Sequence, residues 1–345
     1  MKVAVVGAGF AGLAVCWHLR QRGNHILVHL FDKKGIGAGA SGVANGLLNP
    51  YIGPEAKIAW PGQEGMTSTL ELLEVATKAL GQAVYQQSGI FRPILSETQD
   101  LAYQHCASTY SGIDYWDELT TALHYPQIGC FKGIFIKQGC VVNAPLYLQG
   151  LWAACKSLGV NFIQGKIGSS QQLSDYDYVI LASGYGCKAI TETQHLPLDA
   201  TKGQNLKVKW PAKITPLAYP INGRKYLLMG EDGQYCTIGA TYERKQADPT
   251  PNLSVAKQEL LAEASRIMPA FANMEVLECQ AGIRASCPDR HLPIVGAVTD
   301  KIWVLTALGS RGLLQHAYTA KILVNALLTR QPSSIPTFLT RWLSS

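Results

Sequence analysis

An α/β chain, α+β overall, is predicted by three features of the 345-residue sequence. The first is an apolar run, a glycine turn, a helical pattern and a second apolar run in "KVAVVGAGFAGLAVCWHLRQRGNHILVHLFDKK", Lys2 to Lys34. The second is "DYDYVILASGYG", Asp175 to Gly186, an apolar strand that ends in a turn of small residues. The third is a set of short β-rich segments between Leu206 and Thr241, broken by Asn222-Gly223 and Asp232-Gly233, dipeptides that signal hairpins. Together they predict a Rossmann-like nucleotide-binding domain joined to a second, largely antiparallel-β domain.

Within the first feature, Val3 to Val6 suits a buried parallel strand, and Ala11 to Arg22 has helical periodicity that ends at Gly23. A second strand, Ile26 to Phe31, delivers Asp32 at its carboxyl end. Gly7, Gly9 and Gly12 divide three tasks: a tight turn, close approach of backbone to a pyrophosphate, and packing of helix on strand. Ala8, Phe10 and Ala11 lie between them, where free N–H groups of a helix start can meet phosphate. Asp32, twenty residues after Gly12, is placed to accept from ribose hydroxyls, with Lys33 next to it. This unit alone does not separate NAD from FAD.

Hydrophobic residues make up 47% and charged residues 16%, with no charge block of the kind that prevents a packed core. The length predicts either two domains or one with an insertion. No segment approaches the ~20 apolar residues of a membrane span, so no membrane partner is expected. Nine cysteines stand singly, without a C-x-x-C pair. That pattern predicts thiols in a reducing cytoplasm and no metal site. A net charge of +6 and a pI near 8.7 fall short of a dedicated nucleic-acid domain. One tract is sharper: between Asp199 and Glu231 there is no acid, yet Lys202, Lys207, Lys209, Lys213, Arg224 and Lys225 all occur. It reads first as a solvated sheet face, because Lys207 and Lys209 alternate with Leu206 and Val208, and second as a surface for a polyanion.

After Asp32 comes "GIGAGASGVANGLLNP", Gly35 to Pro50, a small-residue loop that leaves room for a long cofactor. In this loop the sequence resembles the D-amino-acid oxidase and glycine oxidase superfamily of FAD enzymes. The resemblance implies FAD as cofactor. It places Gly39-Ala40-Ser41-Gly42 near the pyrophosphate and ribityl chain, and Asn45-Gly46-Leu47-Leu48 beside the isoalloxazine. It also implies that Ala182-Ser183-Gly184 pass the adenosine and that Asn143-Ala144-Pro145 open the helix that resumes the FAD domain.

The carboxyl-terminal stretch is the most specific. Gly282-Ile283-Arg284, then Asp289-Arg290-His291-Leu292-Pro293-Ile294-Val295-Gly296, then Ala307 to Leu313 ("ALGSRGL") resemble the FAD-dependent half of the bifunctional tRNA 5-methylaminomethyl-2-thiouridine biosynthesis protein. Thr237 to Tyr242, "TIGATY", is similar to the same family. Two departures bear on function. No methyltransferase half is present in this sequence, so only the oxidative step is expected of it, and Lys202-Gly203-Gln204 stands where relatives often read "RGQ". Residues 85–135 match nothing and are expected to set substrate choice.

The chemistry implied is hydride transfer from the α-carbon of a carboxymethylamino group to flavin N5. Hydrolysis of the resulting imine gives glyoxylate and a primary amine. Such a site must above all hold the carboxylate, and a guanidinium does this bidentately. Arg284 is the first candidate and Arg311 the second, the latter at the flavin edge within the turn Gly309, Ser310, Arg311, Gly312, Leu313. Arg284 paired with Asp289 is the structural alternative. No base is required, and His291 and His316 are not assigned catalysis. Tyr219 and Tyr242 are either substrate contacts or core aromatics. The FAD elements fall in residues 1–85, 136–200 and 281–345, which leaves 86–135 and 201–280 for the substrate domain. The expected substrate is the wobble uridine of tRNA. A free amine such as glycine, sarcosine or a D-amino acid is the alternative, and a flavin-binding protein without turnover is the reading of another class.

Overall fold

The computed structural model describes residues 1–288 and 292–343. The leading run forms the strand Lys2–Val6, and the helix that follows is Phe10–Arg20. The second strand is Leu27–Asp32, one residue later than the apolar run suggests. Ile26 still belongs to the turn, with its N–H on Gly23 O at 3.4 Å and its side chain fully buried.

These elements enter a six-stranded sheet in the order Asn161–Gln164, Leu27–Asp32, Lys2–Val6, Tyr178–Leu181, Ile302–Thr306, Ile294–Ala297. All neighbours run parallel except the last pair. From Lys2–Val6 the sheet extends one way through Leu27–Asp32 and the other way through Tyr178–Leu181. This reversal opens a crevice beyond the carboxyl ends of the strands, the usual ligand position in such sheets. Helices Phe10–Arg20, Gly62–Leu80, Ala144–Ser157 and Gly312–Thr329 pack together over the largest core, around Leu13, Leu72, Leu151 and Leu323. Asn143 caps Ala144–Ser157 as expected, its Oδ1 accepting from Leu146 N at 3.3 Å.

The second large sheet has nine strands. Both expected hairpins are present: Ile221–Asn222 turns into Tyr226–Met229, which turns into Tyr235–Gly239. Beyond them lie Asp199–Lys209, paired to Val276–Ser286 and to Glu243–Arg244. On the other side Ile221 lies parallel to Phe91, and Ile90–Pro93, Gly133–Ile136 and Ile113–Trp116 complete the sheet antiparallel. Residues 85–135 therefore supply three neighbouring strands of the sheet, one of them completed by Ile136. Asp199–Lys209 and Val276–Ser286 run across the expected boundaries at 200/201 and 280/281. The outer face buries Phe91, Leu206, Ile221, Leu227 and Ile238 in one core, with helix Leu253–Ser265 lying on the strands of Leu206 and Ile238 and with Trp116 and Tyr125 against Phe91. The inner face turns toward the crevice. Among the described residues no helix is long and apolar enough to cross a membrane.

Candidate active site

A continuous cavity of ≈ 1530 Å³ runs between the crevice of the six-stranded sheet and the inner face of the nine-stranded one. One end is walled by Gly7, Ala8, Gly9, Phe10, Ala11, Asp32 and Lys33. Ala40, Ser41, Asn45, Gly46 and Leu47 line its length, with Ala182, Ser183 and Gly184. Arg284 and the turn Gly309, Ser310, Arg311, Gly312, Leu313 close on the other end. Two glycines expected at the cofactor, Gly12 and Gly42, do not line it. A Cβ on Gly12 would stand 1.7 Å from Gly7 O, and one on Gly42 would stand 2.1 Å from Gly37 O. Their work is to close the two turns against themselves, so the other residues can face the cavity.

At the nucleotide end, Gly7 has φ +111° and its Cβ position lies 2.5 Å from Ala182 O, which only glycine tolerates. Asp32 Oδ2 accepts from Ala8 N at 3.0 Å, and Oδ1 from Lys34 N at 2.8 Å and Gly35 N at 3.1 Å. The acid thus ties the glycine turn to the start of the following loop. Gly9 is the N-cap of Phe10–Arg20 and has no side chain to cover the helix start, which lines the cavity. Ser41 Oγ accepts from Phe10 N at 3.1 Å and so docks the small-residue loop onto this helix.

At the other end, strand alternation decides which side chains face inward. Thr201 pairs with Arg284, Gly203 with Gly282, Asn205 with Gly239, and Gly239 with Tyr226. All of these share the inner face. Gly282 lets the loop lie on the strand, since a Cβ there would meet Val43 Cγ2 at 2.5 Å and Ala40 Cα at 3.0 Å. Asn205 Nδ2 donates to Val43 O at 3.1 Å from the same face. Arg284 lies flat over Gly203 with its guanidinium withdrawn from bulk water. Burial pulls its pKa down, opposed by Tyr226 and Tyr242. Burial acts in the same direction on Arg311, again opposed by Tyr242. A bridge between Ser286 and Leu308 brings the Arg284 strand beside the Arg311 turn. The helix Gly312–Thr329 begins there without a side-chain cap, so a second helix start faces the cavity.

Tyr226 is the residue that sequence reasoning missed. Its hydroxyl accepts from Asn45 Nδ2 at 2.9 Å, which leaves the O–H free to donate, and burial pushes its pKa up to about 12. Tyr242 lines the cavity, but Tyr219 does not. Tyr219 packs among Trp116, His124 and Phe135, the last at 4.9 Å between ring centres. His316 is fully buried, with Nε2 2.6 Å from Tyr147 Oη and Nδ1 3.0 Å from the carbonyls of Gly312 and Leu313. It braces the second helix start from behind. Asp289 and His291, named from the sequence, lie outside the described residues. The acid-free basic tract is not acid-free in space. Lys209 pairs with Glu275, Arg224 with Glu263 and Lys225 with Glu259, while Lys207 sits 3.8 Å over the Tyr235 ring. Lys202 is buried and donates to Thr250 O. The solvated sheet face is therefore the reading the structure favours for this tract.

A profile of the FAD dependent oxidoreductase family, DAO, matches residues 2–326. The chain belongs to this family. Among curated proteins, this DAO member is 26% identical to the tRNA 5-methylaminomethyl-2-thiouridine biosynthesis bifunctional protein MnmC of Polaromonas naphthalenivorans over 99% of its own length. It spans 60% of that relative. It is 28% identical to a protein of Rhizobium etli named as thiamine biosynthesis oxidoreductase ThiO, covering 96% of this chain and 98% of that one. The fold is shared with a crystal structure of glycine oxidase from Geobacillus kaustophilus, at a TM-score of 0.83, 20% identity and 98% coverage of both chains.

The residues present fit the FAD of this family. The cavity exceeds the ~300–1,000 Å³ of an ordinary small-molecule pocket, as a dinucleotide requires. It also has a helix start at each end that its own N-cap side chain does not cover, one suited to pyrophosphate and one to a ring system that gains negative charge.

Proposed function

We propose that this DAO-family chain oxidises the C–N bond of a carboxymethylamino group, releasing glyoxylate and a primary amine, and that its substrate is the wobble uridine of tRNA. The observation that carries the chemistry is the Arg284 guanidinium, spread on Gly203 at the cavity face beside the donor hydroxyl of Tyr226. FAD, when bound, supplies the acceptor for the hydride that leaves the α-carbon, and water then hydrolyses the imine. Arg284 binds the carboxylate through two parallel N–H groups, and Tyr226 donates a third bond. These contacts fix the α-carbon in one orientation, which is the main contribution a protein makes to such a reaction. No side chain need act as base toward carbon.

The tRNA assignment is supported by the relatives named for tRNA 5-methylaminomethyl-2-thiouridine biosynthesis. A base carried by tRNA must leave its stack to reach a cavity this deep. A free amino acid is the competing substrate, favoured by the end-to-end match to the ThiO relative. Anaerobic mixing of the yellow holoenzyme with carboxymethylaminomethyl-modified tRNA, glycine, sarcosine and D-alanine separates the two. The tRNA reading predicts rapid bleaching by the modified tRNA, and bleaching by the free amines alone overturns it.

A further inference from the structure

Part of the cavity wall is not used by the carboxylate site. On the inner face beside Tyr226 it includes Asn222 and Arg92, and the exposed Ser96, Thr98 and Arg224 line the same cavity. Phe91 and Ile221 are neighbours in the outer-face core, so alternation turns Arg92 and Asn222 inward, to the side of Tyr226 and Arg284. Five strand spacings separate the strands of Arg284 and Arg92, at most about 24 Å along the sheet.

Arg92 is only 6% exposed. Its Nη1 donates to Tyr51 O and its Nη2 to Gly53 O, while its Nε is buried with no partner. Among the described residues no carboxylate pairs with it, and Glu55, an acid of the same cavity wall, is bound to Lys57. Two carbonyls and the Tyr103 ring at 5.5 Å are modest company for a buried cation. A guanidinium that lines a cavity with its charge unmatched is a binding group for an anion.

We propose that Arg92, with Arg224 at the mouth, exposed and held to Glu263 only by a loose 3.8 Å contact that a ligand can replace, forms a second anion subsite, and that the substrate is an elongated molecule carrying another anionic group, a phosphate or a carboxylate, away from its amino-acid end. This rests on the reading of Arg284 as the clamp for the first carboxylate. It explains why the unmatched segment 85–135 contributes Arg92 to the cavity wall.

The test is direct binding to the FAD-loaded enzyme, followed by calorimetry and by perturbation of the flavin spectrum, with uridine 5′-monophosphate, uridine and glutarate as probes. The subsite predicts that the monophosphate, glutarate or both bind roughly 10-fold or more tightly than uridine. Preference for the monophosphate assigns a phosphate, and preference for glutarate assigns a carboxylate. Arg92→Met should reduce that advantage to near unity while uridine affinity stays. Arg224→Glu, at an exposed position, should cut it by several-fold without touching the buried contacts, so it decides the matter if Arg92→Met fails to fold. Equal binding of all three probes overturns the subsite. So does an anion advantage lost in Arg284→Lys but kept in Arg92→Met and Arg224→Glu. A protein that holds no FAD contradicts the proposed function instead, which keeps the two failures apart.

Discussion

The guanidinium of Arg284 rests on the bare Cα of Gly203: a Cβ at position 203 would stand 2.0 Å from Nη2 and 2.5 Å from Cζ. Strand pairing fixes this relationship, because Gly203 lies opposite Gly282 and Arg284 is two residues on along the same face. Gly203→Ala should therefore lift the guanidinium by an ångström or more. A displacement of that size is expected to cost on the order of 10²-fold in kcat/KM for carboxylate substrates. FAD content should be unchanged, since the displaced group is far from the nucleotide turn. Unaltered steady-state kinetics in Gly203→Ala would remove the clamp.

Arg284→Lys keeps the charge and loses the planar fork. The kcat/KM for carboxymethylamino substrates should fall by roughly 10²-fold or more, expressed largely in KM, because a point charge cannot make two parallel bonds. Steady-state kinetics alongside the flavin absorbance of the purified variant checks both halves of this statement.

Tyr226→Phe removes one donor and leaves the Asn45 amide without its acceptor. A loss of about 10-fold in kcat/KM is expected from one charge-assisted hydrogen bond. With burial holding its pKa at about 12, the wild-type hydroxyl stays protonated through pH 10. The pH profile below pH 10 should therefore have the same shape in wild type and Tyr226→Phe, and a limb that disappears in the variant would contradict this assignment.

Acid should destabilise the fold through two buried histidines. Burial holds His316 and His18 neutral, lowering each from 6.5 to about 4. Between those values the unfolded chain binds protons that the folded chain does not. The stabilisation is thus complete above about pH 6.5 and is lost as pH falls through about 4. Each histidine adds a slope of up to about 1.4 kcal/mol per pH unit in that window. Urea unfolding at several pH values should show a smaller slope in His316→Gln than in wild type, and equal slopes would contradict it.

Local signals carried much of this site and non-local ones did not. Gly7, Gly9 and Asp32 were legible because strand, turn, helix and acid are contiguous. Arg284 and Arg311 were legible because each stands in a run with specific neighbours, one in a strand and one in a glycine turn. Tyr226 was not, since its place beside Arg284 depends on the register of three other strand pairings. Arg92 was hidden for the same reason, in a segment with no sequence signal. The basic tract read first as a solvated face, but its counter-charges could not be read from it: they come from Glu259, Glu263 and Glu275, far along the chain but adjacent in the fold. Tyr219 read as a core aromatic before a substrate contact, and it packs in the aromatic cluster around Trp116, away from the cavity lining.

Single-turnover oxidation of matched substrates tests the central claim most directly. The FAD-loaded enzyme is mixed anaerobically with carboxymethylaminomethyl-modified tRNA, and with the same tRNA in which the carboxylate is converted to its amide. The clamp predicts one glyoxylate per FAD bleached with the acid, and bleaching slowed by about 10²-fold with the amide. Equal rates for acid and amide, or bleaching without glyoxylate, would contradict it.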